Sequence, residues 1–326
     1  MHYLGTLAAE LQDLKRIQPA HYERSIASQL FVECWHRLIQ GEAAEAVALD
    51  ATAKAILHVL LPGCDDKFFR PAGLGESYVT ALFEKSLKTT ASERIAPELL
   101  DRLRDRLPQL AHEATTDDAE QALSRWALVR TEDLPDFVGI LCRQPRAGAT
   151  APGKPRLVLL PPEMHSDHCM MTAIYAVLFS PEYGAEIGKP FLAALAHHLQ
   201  NAYLPDCGFA GELMMWDRLP DILANTREAA LAQLAPDLRE RTREALRVHE
   251  TIATPDGEAI SAGDVIDRVL DVKWRTRAAA VVDADILDEL DLVHEGPLKT
   301  FQMNLLNKTQ LWSTPSRPSV HTVEEH

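Results

Sequence analysis

The 326-residue sequence is short of cysteine, of aromatic residues and of positive charge, and it contains no long hydrophobic run. Its five cysteines (Cys34, Cys64, Cys142, Cys169 and Cys207) are odd in number and show no CxxC spacing, so reduced thiols in a cytoplasmic protein are expected rather than a disulfide framework. Lys and Arg number 33 against 48 Asp and Glu, a formal net charge of −15. A surface that acidic repels nucleic acid and anionic membranes, although a local pocket can still oppose the global sign and take an anionic small molecule. No stretch reaches the length of a membrane span, and the opening "MHYLGTLAAELQDLKR" is too polar for a secretory core, so a cytoplasmic location is expected. A Gly-rich phosphate loop, a GxSxG elbow and an HExxH pair are all absent.

Helical periodicity is what the sequence has in abundance. "SIASQLFVECWHRLIQ", "EAVALDATAKAILHVLL", "SYVTALFEKSL" and "APELLDRLRDRLPQLAHEA" carry apolar residues three and four apart. Only "RLVLLPP" (156–162) reads as a possible strand or extended connection, so the expected fold class is all-α.

The clearest composition break is "CRQPRAGATAPGKPR" (142–156), where Pro, Gly and small residues interrupt the periodicity. It is expected to link an N-terminal helical region (1–150) to a second helical domain (157–312), followed by a flexible tail (313–326). A second break falls at "TIATPDGEAISAGD" (251–264), where Pro255-Asp256-Gly257 signals a turn and Ser261 is placed to cap the following helix.

The histidines cluster at helix ends. His165 and His168 flank the start of the apolar segment "HCMMTAIYAVLF", His197 and His198 close another, and His249 ends "REALRVHETIA". The next segment, "SAGDVIDRVLDVKWRTRAA", brings Asp264, Asp267 and Asp271 to one helical face. Taken alone, His249 reads as an ordinary polar helix end, and Asp267 and Asp271 as a solvated face. Asp264 also suits the N-terminal turn of a helix. The His197-His198 pair is different: wholly apolar residues precede it, and a buried imidazole needs a partner, usually a metal or a carboxylate.

This order, a His opening one helix, a His doublet closing the next about 30 residues on, and a distal Asp in "AGDVIDRVL", resembles the HD-domain superfamily of metal-dependent hydrolases. The resemblance covers roughly residues 160 to 300 and implies an HD-like helical bundle with a divalent metal between facing helices. It places His168 as the first histidine, with His165 one turn earlier as the alternative, His197 as the doublet histidine and Asp264 as the distal aspartate. His198 stands where the family has its doublet aspartate, and an imidazole does not bridge two ions as a carboxylate does. Three forms of the site are then open: mononuclear and His-rich with His198 as a ligand, completed by a carboxylate from Asp206 or Glu212, or degenerate and metal-free. Imidazole with carboxylate suits transition metals, with iron or manganese foremost.

Hydrolysis of a phosphate ester is the leading function the resemblance implies. His249, or whichever of His165 and His198 is not a ligand, would protonate the leaving group. Arg268, one turn after Asp264, would meet the substrate's negative charge, whereas Lys273, Arg275 and Arg277 read as a solvated cationic face. The alternatives are an iron-dependent oxygenase of the same superfamily, favoured by the extra histidines, and a non-catalytic binding or sensor module. Cys207, between Asp206 and Gly208, reads as a passive thiol. Substrate identity and oligomeric state have no signature in the sequence.

Overall fold

The computed structural model describes residues 2–116, 131–148, 160–249, 252–276, 293 and 296–311. Among these the regular structure is helical, with a single isolated bridge between Pro145 and Met164 and no sheet. The expected linker beyond residue 148, the 313–326 tail, and Arg277, His294 and Glu295 lie outside the described residues. So does most of "RLVLLPP"; its last three residues, Leu160–Pro162, are non-helical and carry a cis Leu160–Pro161 bond.

The helices are α1 (His2–Leu11), α2 (Ile26–Ile39), α3 (Ala44–Leu60), α4 (Asp66–Phe69), α5 (Glu76–Ala91), α6 (Pro97–Arg104), α7 (Leu107–Thr115) and α8 (Asp136–Arg143). They continue with α9 (His165–Tyr183), α10 (Gly188–Ala196), α11 (Gly208–Met214), α12 (Leu219–Leu231), α13 (Pro236–His249), α14 (Pro255–Thr276) and α15 (Lys299–Lys308). Short 3-10 turns at Gln12–Lys15 and Leu199–Ala202 join α1 to the chain before α2 and α10 to the segment before α11.

The axis of the molecule is α9. Every residue from His165 to Ser180 is buried, so over this stretch the helix has no solvent face, as expected of a helix packed on all sides. Helices α14 and α10 lie against it from the C-terminal half, and α2, α3 and α8 from the N-terminal half. The apolar residues of both halves belong to one continuous buried cluster, from Leu4 and Trp35 to Ile174 and Val265. The helices before residue 150 therefore share one core with α9, α10 and α14.

Close approach of α14 to α9 depends on Gly263: a Cβ there would sit 2.6 Å from the Thr172 carbonyl oxygen and 3.0 Å from the Ala176 nitrogen. Helix α9 ends on Gly184, whose φ of +67° gives the left-handed cap that glycine takes at least cost. The start of α14 differs from the sequence expectation. Pro255-Asp256-Gly257 is its first turn rather than a preceding turn, because proline suits the first helical position and Thr254 Oγ1 accepts from the Gly257 N–H at 3.0 Å. Ser261 is consequently inside the helix and caps nothing.

The N-terminal helices also bury charge. Arg37 of α2 pairs with Asp50 of α3 at 2.6 Å and with Glu42 at 2.7 Å, and Arg106 reaches the same Asp50 at 2.6 Å. Lys54, fully buried, pairs with Glu33 at 2.5 Å. The buried Asp50 and Glu33 thus each meet a cation, the condition under which buried charge is tolerated.

Candidate metal centre

Two helix ends and the middle of a third helix converge on one point. Helix α9 begins at His165 and carries His168 in its first turn, so both histidines belong to the helix rather than flanking its start. Helix α10 is apolar and ends at Ala196; His197 is its C-cap and His198, with φ −109° and ψ 20°, is the first residue out of helical register. The change of backbone direction bends two neighbouring side chains toward a common point, their ring centroids 4.3 Å apart. Helix α14 supplies Asp264 from its middle rather than from the N-terminal turn expected for it, because the helix already begins at Pro255.

Nε2 of His168 lies 3.1 Å from Nε2 of His197 and 3.3 Å from Oδ1 of Asp264. Donor atoms of His168, His197 and His198 all lie within 4.8 Å of one another. Two donors about 2.1 Å from one ion are about 3.0–3.4 Å apart at octahedral to tetrahedral angles, and both measured edges match.

The hydrogen bonds on the far side of each ring decide where its proton is. His168 Nδ1–H donates to Asp267 Oδ2 at 2.6 Å, and His197 Nδ1–H donates to the Ala194 carbonyl at 2.5 Å. His198 Nδ1–H donates to Asn201 Oδ1 at 2.9 Å, an orientation fixed because Asn201 Nδ2 donates to the Leu204 carbonyl. The acceptors hold the protons on Nδ1, so the neutral rings turn Nε2 lone pairs inward. Lone pairs of His168 and His197 at 3.1 Å beside the Asp264 carboxylate repel unless a cation sits among them. That cation is either a proton, making His168 an imidazolium, or a metal ion; the outer Nδ1 bonds are those that orient metal-ligating histidines.

Burial, reinforced by the neighbouring imidazoles, holds His197 and His198 well below the usual histidine range. Burial alone would raise Asp264, but Arg268 at 3.2 Å and the facing His168 outweigh it and hold the carboxyl well below its ordinary value. At neutral pH His197 and His198 are thus neutral and Asp264 is ionised, the protonation states that metal binding requires of them.

Asp267 and Asp271 are buried, contrary to the solvated face expected for them. The face of α14 that carries Asp264 continues into the protein, where the N-terminal turn covers it. Gln12 Nε2 donates to Asp267 at 2.8 Å and Lys15 Nζ lies 2.7 Å from the same carboxylate. Arg16 and Arg275 hold Asp271 at 2.6 and 2.7 Å. Arg275 is therefore an ion-pair residue rather than part of a solvated cationic face, and Lys273 Nζ donates to the Leu311 carbonyl at 2.6 Å. Glu163, His168 and Asp267 also stand close enough to share an ion, but Lys15 Nζ, bonded to both Glu163 and Asp267, fills that position with an ammonium.

The remaining candidates surround this point. The His249 ring is 5.4 Å from His197, on an exposed helix end. Arg268 is half-buried; while its Nη2 pairs with Asp264, its Nε–H is buried without a hydrogen-bond partner. His165 is fully buried, its ring 5.1 Å from that of His198. Asp206 stands 3.6 Å from His165, and half-buried Glu212 is raised by burial and by Asp206. All five cysteines are free thiols. Lys15, Gln12, Asn201 and Glu163 were not singled out by sequence reasoning: each acts through a polar contact that leaves no local pattern. Among the described residues no helix is long and apolar enough to cross a membrane. Compared with protein-family models, with curated proteins and with solved structures, the chain has no match.

Proposed function

We propose that this chain is a metal-dependent hydrolase of phosphate esters with an HD-like centre built by His168, His197, His198 and Asp264. The observation that carries the reading is the convergence of inward-facing Nε2 atoms on an ionised carboxylate, beside an arginine with a donor to spare. Iron or manganese suits this nitrogen-rich donor set. Such an ion, when bound, would polarise a phosphoryl oxygen and acidify water.

The chain's own residues account for the rest. Arg268 has donors beyond the one paired with Asp264, and its unpartnered Nε–H is a place for a phosphoryl oxygen in a chain whose net charge otherwise repels anions. His249, at the exposed end of α13, is placed to give a proton to a departing alkoxide. Asp267 keeps the His168 proton on Nδ1, and Lys15 pairs with Asp267 on its other side. The imidazole count also supports a second reading, an iron-dependent oxygenase of the same superfamily.

The test is to load the purified protein anaerobically with Mn(II) or Fe(II), then follow hydrolysis of p-nitrophenyl phosphate and of its diester, with oxygen uptake measured in parallel. Metal-dependent nitrophenol release that disappears in His197→Ala supports the hydrolase. Oxygen uptake without ester cleavage would replace it with the oxygenase.

A further inference from the structure

We infer that the cavity between the starts of α2 and α9 is a separate ligand site, which binds the phosphate group of a small molecule. The cavity holds about 280 Å³, close to the lower end of small-molecule sites at roughly 300 Å³. It lies on the Nδ1 side of His168, away from the Nε2 atoms of the histidine cluster. Lys15 and Glu163 line it, and Lys15 bonds on to Asp267, which accepts the His168 Nδ1 proton. The site neither needs nor supplies a metal ion.

Arg24 carries the recognition. It lines the cavity half-buried, its Nη1 is buried with no hydrogen-bond partner, and among the described residues its guanidinium forms no ion pair. In a chain of net charge −15, where Arg16, Arg37, Arg106, Arg268 and Arg275 each hold a carboxylate, a half-buried guanidinium without one stands out. Its planar fork of N–H donors suits an oxyanion. The other charges lining the cavity are spent. Arg16 and Arg275 hold Asp271, and Lys15 holds Glu163 and Asp267. Glu163 also receives Arg146 at 3.0 Å, while Asp167 accepts from the Ser25 hydroxyl and from the Met164 N–H at 3.1 Å. The remaining carboxylate, Glu23, is exposed, where solvent and salt screen it. Arg16 Nε is a second buried N–H without an acceptor, so the unspent capacity of the buried charged groups is all donor.

The backbone adds the same sign. Ser25, the N-cap of α2, and Met164, the N-cap of α9, both line the cavity, so two helices begin at it. Aligned peptide dipoles place partial positive charge at each start, the setting in which proteins bind phosphate. Pro161 and Pro162 supply an apolar wall. A bare inorganic ion would leave much of the space empty, so the phosphate is one end of a larger molecule whose body rests on that wall.

The experiment titrates inorganic phosphate, and acetate in parallel, into the full-length chain in chelator, at about 0.15 M salt to screen loose surface binding. Calorimetry and the phosphorus resonance linewidth follow the binding. A saturable phosphate site is expected, with acetate at least tenfold weaker. Arg24→Gln, checked for unchanged helical circular dichroism, should weaken phosphate at least tenfold, whereas Arg268→Gln, at the histidine cluster, should keep it. Because Arg24 holds no partner, its replacement leaves no buried charge stranded. No saturable phosphate in the parent chain, undiminished affinity in Arg24→Gln, or a loss in Arg268→Gln alone overturns the site. Acetate bound as tightly as phosphate overturns the choice of ligand. Chelator keeps each of these outcomes independent of whether the histidine cluster holds a metal.

Discussion

The Asp267 carboxylate receives the Nδ1 proton of His168 at 2.6 Å, and both side chains are completely buried. On its other side Asp267 meets Lys15 and Gln12, from a turn more than 250 residues earlier in the chain. The orientation of the first histidine of the centre therefore depends on the N-terminal segment. Burial would lower Lys15, but Asp267, Glu163 and Asp271 outweigh it and keep the ammonium charged.

Replacing Asp267 by Asn removes the charge that holds the His168 proton on Nδ1 while keeping the shape. Metal affinity should fall about 10- to 100-fold, the usual effect of losing such an outer partner. Calorimetric titration with Mn(II) measures this directly, and an unchanged affinity would show that His168 does not depend on Asp267.

Lys15→Met leaves Asp267 and Glu163 buried with their shared cation gone. The expected loss is about 3–5 kcal/mol of folding stability, as when one partner of a buried pair is removed. Denaturant unfolding reads it, and a loss below about 1 kcal/mol would mean that the ammonium is not carrying the buried charge.

Gly263→Ala tests the coupling of packing to the site. The added methyl would meet the Thr172 carbonyl at 2.6 Å, so α14 has to move off α9, and Asp264 is the next residue. Melting temperature and Mn(II) affinity should both fall. A variant with full affinity would show that the site tolerates separation of the two helices.

Stability of the metal-free protein should fall with acid. His165 and His58 are lowered to about 4 by burial, and His197 and His198 are held well below 6.5. Between those values and 6.5 the unfolded chain binds more protons than the folded one, so stability rises with pH in that window. The contribution is complete above about pH 6.5 and is lost as pH falls toward 4. Asp167 opposes it: burial raises this carboxyl to about 6, so its share is complete below about 3.8 and lost as pH rises through 6. His36 is lowered as well, and Asp66 and Glu212 are raised, so five lowered histidines stand against three raised carboxyls and fix the sign. Melting temperature should drop from about pH 7 to about pH 5 in chelator; a flat or rising profile would contradict the assignment of buried neutral imidazoles.

The helices were legible because their apolar spacing is local, and the grouping of His168 with His197 because each sits at or near a helix end, whereas Asp264 lies in the middle of α14. What periodicity does not reveal is which side of a polar stripe faces inward. Asp264, Asp267 and Asp271 share a face of α14, and a face of carboxylates reads as solvated until Lys15, Arg16 and Arg275 are brought onto it by the fold. The same limit hid the shared core of the two halves. A break in composition at residues 142–156 begins where α8 ends at Arg143, whereas the packing of α2 and α3 on α9 is encoded only in which apolar residues fit together. Pro255 misled for a related reason, since proline opens helices as readily as it ends them.

Metal content tests the central claim most directly. Protein purified without chelator, then measured for iron, manganese and zinc by elemental analysis, should carry at least one transition metal ion per chain. His197→Ala and Asp264→Ala should each abolish it with helical circular dichroism intact. A chain that carries no metal, and takes up neither Fe(II) nor Mn(II) when offered them, would mean that a proton on His168 fills the space between the imidazoles, contradicting the metal centre.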